Sequence, residues 1–424
     1  MKILYLAHRI PYPPNKGDKI RSFNEIKYIS HSHEVHLACL ADNSADLIFR
    51  NDLQQYCSHV CVVPLNTAKA RVKSVASLIS KTPLSVGYFY SKALQRTIDQ
   101  WLSSHSYNAI ICFSSPMAEY IFRSTVFKFK QAYALRFAPG AGRSRPRLIM
   151  DFCDLDSDKW LQYSRRQQFP LNLFYGIEHR HLLKYEKKIN KYFDYSVFVS
   201  EQEFDLFSRS DPGARNVSVI SNGVDCEYFS PKPNKLNKLN EPKQPNKPVL
   251  LFTGAMDYYA NMDGVTWFVD KIFSRIKQEW PKCQFYIVGS NPHSKVRDLE
   301  RISGVSVTGF VEDTRPYYNA ANVCVVPLRL ARGVQNKVLE AMAMAKPVVT
   351  TTRAIEGIHA VPEEHVLIED TGPNFFGAVS RLLKNQNLGN RLGARARAFV
   401  KTNYTWPTHM RKFETLLQEG PIIP

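Results

Sequence analysis

The sequence predicts an α/β protein made of two doubly wound, Rossmann-like domains in tandem. The chain has 424 residues, which is long for a single hydrophobic core. Strand-like apolar runs alternate with helix-like segments in both halves. A stretch rich in Pro, Asn and Lys, residues 230–248, separates the two series and has the composition of a linker. We therefore expect two domains that face each other across a cleft.

The domain limits follow from the positions of these segments. We predict an N-terminal α/β domain over 1–229, the linker over 230–248 and a C-terminal α/β domain over 249–403. The tail, 404–424, is expected to cross back to the first domain.

The predicted strands are continuous apolar runs without a period of two, which is typical of parallel strands covered on both faces. In the first half they are 2–8, 34–40, 60–65, 109–115, 147–153 and 195–200. In the second half they are 249–256, 284–290, 305–310, 322–328, 347–351 and 365–370. A helix is predicted over 174–193, where one face carries Ile177, Leu182, Leu183, Tyr185 and Ile189.

The composition indicates a protein with an anionic partner. The net charge of +18 favours nucleic acid, acidic lipid or a phosphorylated ligand. The eight cysteines form no CxxC pair, and several lie inside strand-like runs, so we expect reduced, buried thiols in a cytosolic protein. No apolar run approaches the roughly 20 residues needed to cross a bilayer. The chain is therefore expected to be soluble or peripheral to a membrane.

Residues 120–150 concentrate positive charge. They contain seven Lys or Arg and no acidic residue, interleaved with aromatic side chains. This mixture suits contact with an anionic membrane surface, and it equally describes a solvated helix and loop over a core. Nucleic acid is not expected as a partner, because the basic residues of the chain are spread over α/β domains without a recognition motif.

A polar cluster marks the start of a helix in the second domain. The strand 322–328 is followed by a loop that leads into a helix near Asn336, where backbone N–H groups and the helix dipole favour an anion. Cationic side chains there suit a diphosphate, and Glu340, one helical turn further on, suits sugar hydroxyls. The cluster consists of Arg329, Arg332, Gln335, Asn336, Lys337 and Glu340. We interpret it as a nucleotide-binding site; a capped helix with scattered charges is the alternative.

Two further loops of the second half carry polar residues. One strand ends at Thr253-Gly254 and is followed by Asp257, Asn261 and Asp263, and the glycine would let backbone approach a ligand closely. A bare turn explains Gly254 equally well. The turn dipeptide Asn222-Gly223 is expected to form a hinge or a substrate-facing turn.

The first domain offers candidate acceptor-side residues. Gly17, Asp18, Lys19 and Arg21 follow the first strand and are expected at the mouth of the cleft. After a later strand, four aspartates fall within eight residues: Asp151, Asp154, Asp156 and Asp158. They lack the glycine and the closing glutamate of an EF-hand. A wall that binds hydroxyls, or a helix start capped by Asp156 or Ser157, is therefore expected rather than a metal site.

Several enzyme classes are disfavoured by the motifs that are missing. The sequence contains no GxGxxG, Walker loop, HExxH, GxSxG or Cys/His nucleophile pattern. Their absence argues against a nicotinamide enzyme, an NTPase and the common hydrolases.

Together these segments resemble the retaining glycosyltransferases of the GT-B fold, in the large group 1 (family 4) class. The resemblance covers nearly the whole chain and is strongest from the strand that begins at 249 to the strand that ends near 351. More narrowly, the segments 2–26, 151–160 and 332–349 look like the sugar transferases associated with PEP-CTERM/exosortase exopolysaccharide loci. The resemblance implies sugar transfer from a nucleotide donor, with retention, without an essential metal or other cofactor.

The resemblance also implies residue roles. Glu340 matches the second glutamate of the paired-glutamate motif and would hold the ribose, Lys337 would face the diphosphate, and Gly17 matches the glycine loop near donor and acceptor. The first glutamate of the motif is replaced here by Arg332, and Asp154 or Asp156 stands where relatives have a histidine. The loop after Gly254 lacks the Arg and Lys of many relatives.

We therefore expect a cytoplasmic, membrane-peripheral glycosyltransferase that extends a lipid-linked or polysaccharide acceptor. The expected catalytic residues are Lys337, Glu340, Arg332 and Asp154. The expected donor-binding residues are Gly254, Asp257, Arg329, Gln335, Asn336, Lys337 and Glu340. A nucleotide-sugar epimerase of the same fold and a non-catalytic, anion- or membrane-binding scaffold with a decayed site are the alternatives.

Overall fold

The structure is a computed structural model that describes residues 1–77, 81–128, 145–231, 247–331 and 333–418. The chain divides into two compact units. The first contains Met1–Ile220 together with the residues from Met410 onwards, and the second contains Ser221–His409. The division thus falls before the predicted limit at 229, and most of the predicted linker lies outside the described residues.

A parallel sheet forms the centre of the first unit. Its strands are β1 (Lys2–Ala7), β2 (Glu34–Ala41), β3 (His59–Pro64), β4 (Ala109–Phe113), β5 (Arg147–Cys153), β6 (Tyr195–Phe198) and β7 (Val217–Val219). They are arranged in the order β3-β2-β1-β4-β5-β6-β7. Most of these strands are buried along nearly their whole length, which explains the unbroken apolar runs in the sequence.

Helices connect and cover these strands. Their bounds are Gly17–Ile29, Thr67–Ser77, Leu84–Phe89, Lys92–Ser104, Ala118–Arg123, Asp156–Arg166, Leu171–Tyr192, Glu201–Ser210 and Trp406–Gln418, with 3-10 segments at Ser44–Gln55 and Ser115–Met117. Side chains cap the starts of some of these helices: for example, the Ser91 hydroxyl accepts from the Leu94 amide and the Ser200 hydroxyl from the Glu203 amide. On the predicted helix, Leu182, Tyr185 and Ile189 pack into the core.

The second unit repeats the design around its own parallel sheet. Its strands are β8 (Val249–Thr253), β9 (Gln284–Val288), β10 (Val305–Gly309), β11 (Val323–Val326), β12 (Val348–Thr350) and β13 (Leu367–Ile368). Their order is β10-β9-β8-β11-β12-β13. The helices are Tyr259–Phe268, continued by a π segment Val269–Phe273, then Ser274–Glu279, Ser294–Arg297, Arg315–Ala320, Asn336–Ala343, Thr352–Ile355, Gly372–Lys384 and Gln386–Asn403, with a 3-10 segment at Asp298–Arg301.

The strand orders locate a site in each unit. In both sheets the chain first builds strands outward in one direction and then returns to the other side of the first strand, between β1 and β4 and between β8 and β11. Ligands of such folds bind beyond the carboxyl ends of the strands at this point of reversal. The predicted fold class, α/β with two doubly wound sheets, is confirmed.

Three of the described residues in the basic segment 120–150 are buried. Tyr120 and Phe127 are buried in the hydrophobic core of the first unit. Arg147 is 1% exposed, and its guanidinium donates to the carbonyl of Leu416. These three residues therefore stabilise the fold and are not available to lipid headgroups. Residues 129–144 lie outside the described residues, so membrane contact there stays a prediction.

The remaining expectations concern thiols, membrane spans and the tail. All eight cysteines are free thiols, and six of them are buried. Among the described residues, no helix is long and apolar enough to span a membrane. In the tail, Glu414 accepts from His33 Nε2 at 2.9 Å, within the first unit.

Candidate active site

The second unit brings a lysine and a glutamate to the reversal point between β8 and β11. The helix Asn336–Ala343 follows the loop after β11, and Lys337 and Glu340 lie on its first turn. Both side chains are partly buried, and each influences the ionisation of the other. The two residues that the sequence predicts for diphosphate and ribose are therefore near neighbours.

An asparagine from the first turn of the helix after β8 holds the lysine. Lys337 Nζ donates to Asn261 Oδ1 at 2.5 Å and lies 4.5 Å above the ring centre of Phe252. Asn261 is itself fixed, because its Nδ2 donates to the Ala255 carbonyl at 2.8 Å. The ammonium is thus held by neutral groups, which is the arrangement of a cation that can exchange a weak partner for an anion.

Gly254 is required by this arrangement. Its φ is +156°, and a Cβ added there would lie 2.7 Å from Asn261 Nδ2 and 3.0 Å from Lys337 Nζ. A larger residue would therefore push both side chains out of place.

A tyrosine positions the glutamate. The buried Tyr318 hydroxyl donates to Glu340 Oε2 at 2.9 Å and lies 2.8 Å from Thr253 Oγ1. Thr253 is the last residue of β8, so the glutamate is anchored to the same strand end that precedes Gly254. One carboxylate oxygen is thereby oriented, and no hydrogen bond from the described residues engages Oε1.

Burial shifts the ionisation of this pair toward neutrality. Burial lowers the pKa of Lys337 to about 7, against the raising influence of the Glu340 charge. Burial also raises the pKa of Glu340, opposed by the Tyr318 hydrogen bond and by Lys337. Groups with pKa values perturbed in this way are enriched at binding and catalytic sites, and buried structural networks also contain them.

The start of the helix is held by a residue from far along the chain. Asn336 is its first residue and accepts from Asn222 Nδ2 at 3.0 Å. Gln335 precedes it and caps no backbone amide with its side chain. The Asn222-Gly223 turn is itself fixed, since a Cβ on Gly223 would lie 2.4 Å from the Trp406 amide nitrogen. This turn is thus part of the site architecture in the second unit.

The other predicted donor-side residues lie around this centre with partners of their own. Arg329 makes two hydrogen bonds to Asp263, at 3.0 and 2.5 Å, and is about half exposed. Asp257 is exposed and accepts from Asn291 Nδ2 at 3.2 Å. A diphosphate that recruits Arg329 must compete with the Asp263 carboxylate. Arg332 lies outside the described residues.

In the first unit, charges at the carboxyl end of the sheet neutralise one another. Asp18 accepts from His8 Nε2 at 3.2 Å and from Arg9 at 2.7 Å, and Arg9 also reaches Asp42 at 2.7 Å. Burial alone would raise the pKa of Asp18, but the hydrogen bonds and charges of His8 and Arg9 lower it well below its usual range. Asp18 is therefore an ionised carboxylate whose contacts with His8 and Arg9 stabilise the fold.

Two of the predicted acceptor-side residues need correction. Arg21 is fully buried, donates to Asp151 Oδ2 at 3.0 and 2.6 Å and to the Ile220 carbonyl at 2.8 Å, and pairs with Glu25 at 3.0 Å. Lys19 is 3% exposed and pairs with Asp46 at 2.7 Å. Both side chains point into the unit because the helix Gly17–Ile29 presents them to its packed face. They cannot stand at the mouth of a cleft.

Gly17 is exposed, whereas Asp154 is partly buried. Gly17 is exposed, and a Cβ there would meet nothing within 4 Å, so packing of the chain itself does not require glycine. Asp154 follows β5, and burial, followed by the neighbouring Asp156 charge, raises its pKa to about 6.

The predicted cap of the next helix is wrong. The helix Asp156–Arg166 has no side-chain cap from Asp156 or Ser157. Two buried glutamates from other helices take that role: Glu203 accepts from the Leu155 amide at 2.5 Å and Glu186 from the Ser157 amide at 3.1 Å. Asp156 lies near Lys159, at 3.9 Å.

Sequence reasoning missed four residues of these two edges. They are His8, Asn222, Asn261 and Tyr318, of which Asn222 and Asn261 were noted only as loop residues. The immediate end of a strand was a usable signal for His8, which follows β1 directly. Tyr318 had none, because one of two adjacent tyrosines in a short helix reaches the site only through tertiary packing.

The region that carries Lys337 and Glu340 matches a known protein family. Residues 247–385 match the family described as Glycosyl transferases group 1. This range covers the loop after β8, Tyr318 and the helix with Lys337 and Glu340. Within this range the second unit is similar to the group 1 glycosyltransferases.

Whole-chain relatives extend the likeness. The chain is 20% identical over 417 residues to an uncharacterized 44.6 kDa protein in the cps region of Klebsiella pneumoniae, covering 95% of this chain and 96% of that one. Sucrose-phosphate synthase from Thermosynechococcus elongatus superposes with a TM-score of 0.71 at 18% identity, over 98% of both chains. Anabaena HepE in complex with UDP-glucose gives 0.64 at 16% identity, over 98% of this chain and 99% of that one. These likenesses show that the fold is GT-B.

Proposed function

We propose that this protein transfers a sugar from a nucleotide-sugar donor, with retention, to a lipid-linked or polysaccharide acceptor in the synthesis of a surface glycan. The family match supports the class of reaction. The relative from a cps region and the structural neighbour that holds UDP-glucose support the biological setting and the kind of donor. The observation that carries the proposal is the Lys337–Glu340 pair at the reversal point, held by Asn261 and Tyr318.

On the donor side, the lysine binds the diphosphate. The ammonium of Lys337 exchanges the neutral Asn261 amide oxygen for a phosphate oxygen, and the start of the helix Asn336–Ala343 adds the positive end of its dipole. As the glycosidic bond breaks, negative charge builds on the diphosphate leaving group. A positive charge fixed in a partly buried place stabilises that charge more than water does.

Glu340 fixes the nucleoside part of the donor. Tyr318 orients one of its oxygens, and Oε1 accepts hydrogen bonds from ribose hydroxyls. The carboxylate is the form that accepts two such bonds, so binding of a ribose favours its ionisation. This offsets the effect of burial on the pKa of Glu340.

Acceptor-side roles fall to the first unit. Gly17 leaves open space where a ligand passes the start of its helix, and Asp154, with a pKa of about 6, is suited to bind or deprotonate a sugar hydroxyl near neutral pH. Arg329 reinforces the diphosphate site when it leaves Asp263. We propose that transfer itself uses these side chains and needs no metal ion or other cofactor.

The test is calorimetric binding of nucleoside diphosphates to single variants. Lys337→Ala should weaken binding by about 100-fold and Glu340→Ala by about tenfold, because a charge-assisted contact to phosphate is worth about 1.5–3 kcal/mol and a ribose contact less. Lys295→Ala, an exposed lysine of the same unit, is the matched control and should bind as the parent does.

The nucleotide is found by a thermal-shift screen of UDP-, GDP-, ADP- and dTDP-sugars, since a ligand that binds only the folded state raises its melting temperature. Unchanged affinity in both site variants would discard the site. Conversion of the donor without an acceptor would indicate an epimerase, and binding without any turnover would indicate a scaffold.

A further inference from the structure

A cluster of metal-ligating side chains lies at the opposite edge of the first sheet from the reversal point. Glu34 and His59 are the first residues of β2 and β3, and His36 follows two residues into β2. They therefore lie at the amino ends of these parallel strands, whereas ligands of the fold bind beyond the carboxyl ends. No role in sugar transfer accounts for this cluster.

The strands place the three side chains on one face. Residues two apart on a strand point to the same side, so Glu34 and His36 are neighbours. His36 and His59 are register partners on adjacent parallel strands, with ring centres 4.2 Å apart. One ligand atom from each of the three residues lies within 4.8 Å of the others, and His36 Nε2 is already 3.0 Å from Glu34 Oε1.

A contact at its second ring nitrogen orients the imidazole of His36. His36 is fully buried, and its Nδ1 lies 2.7 Å from the hydroxyl of Tyr107. Metal-binding histidines commonly use their second ring nitrogen in this way, which fixes the ring and directs the other nitrogen at the metal.

We propose that Glu34, His36 and His59 form a zinc-binding site. Two imidazoles and one carboxylate are ligands that Zn²⁺ accepts readily, with a fourth position completed by water or another side chain. A tetrahedral zinc with bonds of about 2.0–2.1 Å sets its ligand atoms about 3.4 Å apart. The side chains must therefore close by at most about 1.4 Å from their present separation. The partly exposed His105, whose ring centre is 4.9 Å from that of His36, is the nearest candidate for the fourth ligand.

Metal binding changes two existing contacts. Lys2 Nζ lies 3.2 Å from Glu34 Oε1, so zinc must compete with this lysine for the Glu34 carboxylate. His36 must present an unprotonated Nε2 where it now faces Glu34, with the proton on Nδ1 toward Tyr107. The gain is a cross-link between β2 and the edge strand β3, which stabilises the edge of the sheet.

The test uses the full chain, freed of metal with a chelator and dialysed, and titrated with zinc chloride in a calorimeter. We expect one zinc per chain. The exposed His59→Ala and Glu34→Gln variants should each lose at least about tenfold in affinity. His31→Ala, an exposed histidine of the same unit, should bind as the parent does. Lys2→Met should bind zinc more tightly, because it removes the competing cation.

A second measurement identifies the coordination. Cobalt chloride should give the visible absorption of a tetrahedral Co²⁺ site in the parent and not in His59→Ala. Equal zinc affinity in His59→Ala and the parent, or an equal loss in His31→Ala, would overturn the proposal. Nucleotide affinity does not enter either measurement, so the zinc site stands or falls separately from the proposed transferase activity.

Discussion

The carboxyl edges of the two sheets have the same strand order around the reversal point and treat charge in opposite ways. In the first unit, Arg9, Arg21 and Lys19 are each paired with buried or partly buried carboxylates. In the second unit, Lys337 has no carboxylate within ion-pair distance among the described residues and is held by an amide oxygen instead. At the edge of the first unit, the closed edge, opposite charges neutralise one another. The edge of the second unit, the responsive edge, keeps a cation that can bind an anion.

The difference separates scaffold from site. A buried pair with good geometry resists change, because removing either partner leaves an unpaired charge in a medium that solvates it poorly. A buried cation without an opposite charge instead shifts its pKa and responds to ligands. The same fold therefore supports a rigid edge and a responsive one, and the side chains that follow the strands decide which.

The largest expected effect comes from removing the charge of Arg21 from the closed edge. Arg21→Met should lower the free energy of unfolding by about 3–5 kcal/mol, because Asp151 and Glu25 would stay buried without their guanidinium partner. Urea denaturation followed by circular dichroism measures this. Arg209→Met, at an exposed helix end, should change the free energy by less than about 0.5 kcal/mol. A loss in Arg21→Met no greater than in Arg209→Met would mean that the network does not hold the unit together.

An intermediate effect is expected from adding a methyl group at Gly254, beside Asn261 and Lys337 of the responsive edge. Gly254→Ala should cost about 1–3 kcal/mol of nucleoside-diphosphate binding, because the new methyl displaces Asn261 and Lys337. Gly377→Ala is the matched control: this glycine lies inside the helix Gly372–Lys384 and a Cβ there meets nothing within 4 Å. It should leave binding unchanged and stabilise the fold by about 0.5–1 kcal/mol. Normal affinity in Gly254→Ala would show that the lysine tolerates another position.

The smallest effect concerns pH. Free Lys337 has a pKa of about 7, whereas a bound diphosphate favours its charged form and raises that pKa. Above pH 7, binding must take up a proton, so affinity should fall by up to about tenfold per pH unit from this group. Calorimetry in buffers of different ionisation enthalpy measures the proton uptake. Lys337→Arg, which stays charged, should lose the uptake between pH 7 and 9; an unchanged uptake in that variant would assign it to another group.

The same lowered pKa has a consequence for stability with the opposite sign. The unfolded chain keeps the Lys337 proton up to its ordinary pKa of 10.5, whereas the folded chain releases it near 7. The free energy of unfolding therefore rises with pH between these values as far as this residue is concerned. High pH, through its effect on Lys337, therefore stabilises the ligand-free fold and weakens the binding of a diphosphate.

Most of the fold could be predicted because parallel strands covered on both faces leave long apolar runs. Every predicted run overlaps an observed strand, and β7 was missed because Val217–Val219 is too short to form a pattern. Lys337 and Glu340 were predictable since one helix carries both. Arg21 was placed wrongly because its partners Asp151 and Ile220 lie far along the chain. No local pattern distinguishes a buried arginine from an exposed one at the start of a helix.

The backbone at the responsive edge restricts which residue can stand at position 289. A Cβ on Gly289, which follows β9 with φ +153°, would lie 1.7 Å from the carbonyl oxygen of Gly254. A side chain at position 289 would therefore have to displace the backbone at Gly254. A library randomised at position 289 and selected for activity should therefore return glycine almost exclusively.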